Sequence, residues 1–356
     1  MVAPMTIPLP RHPSSRPFLR RGVSSVQVGT DPERAVVLDG LDADVVSVLV
    51  RLDGRTARPD LPDPGGALPA VLDALETQGL LEGTAEGAGT PARLARLGLD
   101  LAALAVRTGS HDGARRVLAR RGRRGVVVRG ADRTAALVAV GLAAAGVGTV
   151  ALEAADRLAD PVDLTPAGPE EAGRSWHEQV SDAVRRHGAS PLRTTIRARR
   201  PDLVVVTGAA DTDEPWTDPA RTDDLLADGV VHLPVAVSGD AAVVGPLVVP
   251  GRTACLWCAE RRRADLDRAW PALADQLRAR HAVARSGDGP LTALAAGFAV
   301  TQALRVVDGL DPAAPPACLG ARLVLRGPDG VPEREPVAPH PVCGCGWAGM
   351  GDTMAG

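Results

Sequence analysis

The residue types most able to do chemistry lie in two short runs near the C-terminal end of the chain, Cys255-Leu-Trp-Cys258 and Cys343-Gly-Cys345. A C-x-x-C turn places two thiolates on one side of a tight loop, and a second close pair completes a tetrahedral set of four sulfurs. That is the closed, structural type of zinc site. Gly251 before the first pair, and Gly344 and Gly346 around the second, supply the backbone freedom such knuckles need. Free thiols or disulfide exchange are the alternative, but no thioredoxin-like context surrounds the motif. His340 is a substitute ligand or a surface histidine, and the remaining cysteine, Cys318, reads as a small core residue.

A second chemical stretch runs from Arg124 to Asp156. Its loop reads Gly130-Ala131-Asp132-Arg133-Thr134-Ala135. A nucleotide loop requires Gly-x-Gly-x-x-Gly/Ala, because phosphate oxygens must approach bare backbone N–H groups at a helix N-terminus. The first glycine is Gly130, and Ala135 is tolerable at the third. Asp132 stands at the second, placing a negative charge where phosphate would come closest. Two unit charges about 4 Å apart repel by about 4 kcal/mol at an effective dielectric near 20. The residue is suited instead to capping the helix that follows.

These residues need elements to hold them. Val126, Val127 and Val128 predict a strand buried on both faces, and Thr134 to Ala145 predicts a helix of small residues lying close on a sheet. Thr149 to Leu152 predicts the next strand, giving a unit of nucleotide-binding type. Further strands are expected at Leu203 to Val206, Val230 to Val237, Ala242 to Val249 and Ala321 to Leu325. Pro234 argues that its strand is an edge or carries a bulge. Leu291 to Val307 reads as a long buried helix. The fold class is α/β, with an open, mostly parallel sheet.

Ahead of this body, 1–15 is Pro-rich and expected to be disordered. Residues 16–82 read as a small winged-helix-like domain. Strands are expected at Val23 to Val28 and Arg34 to Leu38, with helices around Val45 to Leu52 and Leu68 to Leu75. Residues 83–92 have linker composition, 93–347 form the α/β domain, opening on a mostly helical stretch from Leu94 to Arg121, and 348–356 is a tail.

Composition bounds the function. The chain has 356 residues and a net charge of −3, which argues against a nucleic-acid footprint. Arginine runs at 115–124 and 193–200 read as solvated helix faces. No lysine and no asparagine occur, so any mechanism that needs either is excluded. No signal peptide or membrane span is expected, and a cytoplasmic location follows, with reduced cysteines.

The strand–helix–strand with its GVGT turn, the PDLVVV strand, GPLVVPGRTACLWC and the closing CGCGW resemble the ThiF/MoeB/ubiquitin-activating-enzyme superfamily, from about Arg121 to Trp347. The PGR-x-x-CLxC run and CxCG resemble the subset serving peptide-natural-product biosynthesis. That resemblance implies a Rossmann-like ThiF-type sheet with a zinc clasp and a winged helix that binds a precursor's leader peptide. It also implies docking on a YcaO-type cyclodehydratase and, as is common in the superfamily, a homodimer.

For the active members the resemblance implies ATP and magnesium, a ribose-binding carboxylate, an asparagine, an arginine, a lysine and a magnesium-binding aspartate. Glu153 lies near the ribose position, which a strict match gives to Ala154. Arg174 stands nearest for the arginine and Asp211 is the nearest carboxylate after PDLVVV. The asparagine and lysine are absent. The expected function is therefore peptide binding and scaffolding over a degenerate nucleotide site. The alternatives are an active adenylyltransferase using Arg174, Asp211 and Glu153, an NAD-type oxidoreductase with Glu153 on the ribose, and DNA binding by the winged helix.

Overall fold

The computed structural model describes residues 17–33, 35–52, 61–63, 65–78, 80–81, 96–108, 111–154, 157–160, 173–189, 200–208, 215–279, 287–310, 312, 314–327 and 329–345. The N-terminal 1–15 stretch, the whole 83–92 linker, Asp211, Gly346, Trp347 and the 348–356 tail lie outside the described residues. The chain forms two compact units, 1–120 and 121–356.

The first unit opens with three short antiparallel strands, β1 (Phe18–Arg20), β2 (Val26–Val28) and β3 (Val36–Leu38), in that spatial order. Helices α1 (Ala43–Val50) and α2 (Leu68–Thr77) pack on the sheet. Phe18, Val26, Val28, Val46, Leu49, Leu72 and Leu75 meet in their core. The apolar 3.6-residue spacing read from the sequence is what brings one face of each helix onto the sheet. Phe18–Arg20 is a strand the sequence pattern did not announce, because three residues carry too little alternation to register. Helices α3 (Gly98–Thr108) and α4 (His111–Arg121) follow, with a separate cluster of Leu97, Leu101, Leu104 and Leu118.

The second unit is built on a seven-stranded mixed sheet. In chain order its elements are β4 (Gly125–Arg129), α5 (Arg133–Ala144), β5 (Thr149–Glu153), α6 (Trp176–Arg186), β6 (Leu203–Thr207), a 3-10 turn at Pro219–Thr222 and α7 (Asp223–Ala227). They continue with β7 (His232–Ser238), β8 (Ala241–Val244), α8 (Leu256–Leu266), α9 (Trp270–Ala279), α10 (Gly289–Val307), β9 (Ala321–Arg326) and β10 (Pro332–Pro336). The sheet order is β10-β9-β8-β7-β6-β4-β5. Strands β5, β4, β6 and β7 run parallel, and β8, β9 and β10 join antiparallel. The chain crosses over beside β4, which opens a crevice at the carboxyl ends of β4 and β6, where open α/β sheets bind ligands.

Pro234 lies in an interior strand rather than at an edge. Its carbonyl accepts from the Gly245 N–H at 2.8 Å, just past the start of the β7–β8 ladder at Val235↔Val244. A residue's N–H and C=O point to the same side of a strand, so the missing donor faces β8 at the very end of its ladder and the pairing with β6 is untouched.

Alanines explain the packing above the sheet. Ala135, Ala136, Ala139 and Ala143 of α5 and Ala295, Ala296, Ala299 and Ala303 of α10 share one core cluster. A Cβ on Gly141 would come within 2.9 Å of Val300 Cγ2, so the two helices approach closely there. Helix α10 is long and apolar enough to cross a membrane by length and composition alone, yet its apolar side fills this core.

At the base of the unit, Arg121 is 1 % exposed and its guanidinium bonds both carboxylate oxygens of Asp308 at 2.6 and 2.7 Å and the Ala145 carbonyl at 3.1 Å. The pair fastens the residue just after α10 to the entry of β4. Removing one partner of a buried pair leaves an uncompensated charge. Asp308→Ala is therefore expected to lower unfolding stability by about 3–5 kcal/mol, read as a reduced midpoint in urea with an unchanged slope.

Candidate functional site

The turn between β4 and α5 lies in the crevice. Gly130 has φ +149°, and a Cβ there would sit 2.1 Å from Thr207 Oγ1, so only glycine lets the loop cross β6 this closely. Asp132 caps α5: its Oδ1 accepts from the Ala135 N–H at 2.7 Å and from the Thr207 hydroxyl at 3.0 Å. The donor that a phosphate would use is thereby satisfied from within the chain. Burial raises the Asp132 pKa, and the Ala135 N–H, Thr207, Arg221 and Arg157 oppose that rise.

Arginines close the rest of the loop. Arg157 donates through Nε and Nη2 to the Ala131 carbonyl at 2.9 and 2.6 Å and lies over the Trp176 ring at 5.8 Å. Arg221 donates to the Gly208 carbonyl at 3.2 Å; burial lowers its pKa, and Asp132 works against that. At the end of β4, Arg129 bonds both Asp224 oxygens at 2.8 and 2.7 Å, the Arg221 carbonyl at 2.8 Å and Glu153 Oε2 at 3.1 Å.

Of the residues singled out from sequence, Gly130, Asp132, Ala135 and Glu153 come together, with Glu153 engaged by Arg129. Arg174 is exposed and lies in a bend just before the Leu158–Ser175 bridge that leads into α6, not on a helix. The sequence reading missed Arg129, Arg157, Thr207, Arg221 and Asp224. In an arginine-rich chain nothing in their spacing separates them from solvated arginines.

The second cluster is the clasp. The Sγ atoms of Cys255, Cys258, Cys343 and Cys345 all lie within 4.8 Å of one another. Cys255 is 3.8 Å from Cys258 and 3.5 Å from Cys343, and Cys258 is 3.6 Å from Cys345. Zinc–sulfur bonds of about 2.3 Å in a tetrahedron put neighbouring sulfurs about 3.8 Å apart, so the thiols have the dimensions of a metal site. Without a cation they cannot all ionise. The hydrogen bond from Cys255 pulls the Cys258 thiol well below the usual thiol range, while the Cys255 thiol, which holds that proton, is pushed up. His340 stands outside the ligand set: Nε2 faces Asp265 at 2.8 Å, and Nδ1 faces the Val342 N–H at 3.4 Å. Cys318 is buried against Gln302, and burial pushes its thiol up to about 12.

Around the clasp lies an aromatic–ionic cluster that sequence reasoning did not anticipate. Trp257, between the two cysteines of the first pair, donates its indole N–H to Asp223 at 2.6 Å. Glu260 accepts from Trp216 at 3.0 Å and from Trp270 at 2.7 Å. Arg278, paired with Asp218 at 3.0 Å, lies 5.8 and 5.7 Å from the Trp216 and Trp257 ring centres.

No protein-family model and no curated protein matches the chain. Solved structures do. Escherichia coli MccB in complex with MccA-N7isoASN aligns with a TM-score of 0.59 at 16% identity, over 95% of this chain and 99% of that one. MccB with ATP aligns with a TM-score of 0.58 at 16% identity, over 94% and 98% of the two chains. Selenomethionine PaaA aligns with a TM-score of 0.60 at 14% identity, over 91% and 98%. The fold is thus ThiF-like along nearly the whole chain.

His232 opens β7 with no exposed surface. Its Nδ1 lies 2.9 Å from the Val230 carbonyl, and its Nε2 is buried with no partner among the described residues. Burial lowers its pKa from 6.5; Arg129 adds to that, and the Val230 carbonyl and Asp224 oppose it. A depressed histidine gives stability that is full above the unfolded value and is lost as pH falls through the folded one. Urea midpoints should therefore drop as pH falls below about 6.5, and His232→Gln should flatten that slope.

Proposed function

We propose that the chain binds a precursor peptide and holds it for a partner enzyme, a YcaO-type cyclodehydratase, without activating the peptide itself. The cytoplasm, where thiols stay reduced, suits a clasp of this kind, and association as a homodimer through the α/β body belongs to the same reading. A structural zinc held by Cys255, Cys258, Cys343 and Cys345 would join the start of α8 to the C-terminal loop. When bound it supplies cross-linking and charge neutralisation, not catalysis.

The observation that carries the reading is Asp132. Its carboxylate occupies the α5 N-terminus, and the chain has no lysine or asparagine to compensate elsewhere. Adenylyl transfer depends on electrostatic stabilisation of phosphoryl oxygens, which this loop would oppose. Gly130, Asp132, Ala135 and Glu153 are then a vestigial nucleotide loop. The peptide side rests on fold likeness to MccB, whose structures include complexes with MccA.

Recognition is assigned to the small domain at residues 16–82, where an extended peptide would add a strand to a sheet edge. The segment Arg20 to Val28, together with the stretch Asp42 to Leu52, is the region expected from sequence to contact it. Since β2 is paired on both sides, the free edges among the described residues are those of β1 and β3.

Two measurements test these assignments. Peptide-dependent exchange between ATP and pyrophosphate should stay at the level of the enzyme-free blank; exchange above it, abolished in an Arg221→Ala variant, would favour the adenylyltransferase reading. Carefully reduced protein should carry near-stoichiometric zinc, and stripping it with a strong chelator should lower the thermal midpoint. Structural zinc sites contribute apparent binding energies of about 10–16 kcal/mol.

A further inference from the structure

Helix α7 is five residues long, too short to hold its own conformation, so its place is set by what its side chains touch. One set of contacts comes from the clasp. The Asp223 carboxylate accepts at 2.6 Å from the indole of Trp257, which lies between Cys255 and Cys258 in the chain. Leu226 packs in the cluster that contains Cys255, Cys258 and Cys343. Just before the helix, Asp218 pairs with Arg278, whose guanidinium lies 5.7 Å from the Trp257 ring centre.

The other set comes from the crevice. Arg129 holds both Asp224 oxygens and the Arg221 carbonyl, and the Arg221 side chain donates to the Gly208 carbonyl. The segment 218–227 is thus fastened from two sides with little of its own to hold it, so it is ordered while both grips last and loosens when either is released. The clasp sets the first grip. Four sulfurs drawn to one centre fix the turn from Cys255 to Cys258 and with it the direction of the Trp257 indole. Thiols alone hold that turn only through weak S–H contacts, here 3.5 to 3.8 Å between sulfurs.

We infer that residues 218–227, gripped through Trp257, couple the clasp to the crevice: filling the four-cysteine site orders the β4–α5 loop, and the state of the crevice sets how tightly the clasp holds its metal. This rests on the structural-zinc reading above and adds to it Trp257 as a positioning residue. Coupling between two sites is reciprocal, so it can be read from either end.

The test measures zinc affinity, by competition with a chromophoric chelator, in the full-length protein and in Trp257→Phe, Asp224→Asn and Asp202→Asn variants. Asp224 bonds Arg129 in the crevice, whereas Asp202 pairs with Arg124 at the other end of β4 and is the control. Trp257→Phe and Asp224→Asn should each weaken zinc binding by about fivefold or more, and Asp202→Asn should not. Amide exchange gives the second readout. The Gly130 N–H donates to the Glu153 carbonyl at 3.1 Å and the Ala135 N–H to Asp132 at 2.7 Å. Both should exchange faster in zinc-saturated Trp257→Phe than in zinc-saturated wild-type protein. Equal zinc affinity in Asp224→Asn and wild type, or an equal loss in Asp202→Asn, would overturn the coupling and leave the zinc reading standing. Unchanged exchange at Gly130 and Ala135 would remove Trp257 from its role. Should Trp257→Phe fail to fold, Asp224→Asn, which leaves the cysteine turn intact, still decides the coupling. Wild-type protein that takes up no zinc would overturn the zinc reading and this inference with it.

Discussion

One carboxylate governs the crevice. Asp132 holds an N–H at the start of α5 and a hydroxyl at the end of β6, so the loop, the helix and the neighbouring strand are fixed to each other by a single side chain. A helix N-terminus carries about half a positive charge. Here it is balanced internally, and the arginines nearby serve the chain's own oxygens: Arg157 the Ala131 carbonyl, Arg221 the Gly208 carbonyl. A pocket designed for phosphate would leave these donors facing outward. This one faces them inward, onto the chain's own carbonyl oxygens.

The turn at Pro219–Thr222 and helix α7 tie this loop to the cysteine clasp. Asp223 receives the Trp257 indole from within the first cysteine pair, and Asp224 receives Arg129 from the end of β4. Leu225 enters the core beneath β4 and β6, while Leu226 packs beside the clasp. Adjacent residues on one short helix thus serve two sites.

Much of this arrangement was legible in the sequence because it follows from local pattern. The triple-valine strand, the alanine-rich helices and the cysteine spacings each point to one structure, and the valines and alanines fill a common core. What was not legible depends on distance along the chain. Arg129 meets Asp224 and Trp216 meets Glu260 only after folding, and neither pair has a spacing that marks it. Pro234 looked like an edge signal because sequence alone does not show that the neighbouring ladder ends beside it. Strand β10, Pro-Glu-Arg-Glu-Pro, lacks the apolar alternation that usually identifies a strand and is held by its pairing to β9.

That last strand also decides what the large sheet cannot do. It forms one outer margin of the seven-stranded sheet, with a proline at each end and charged residues between. Two of its five residues bring no amide hydrogen, and the rest would confront any incoming strand with fixed charge. The main body is therefore closed on that margin to self-templated growth, so crowding and high expression should not drive copies to zip together there.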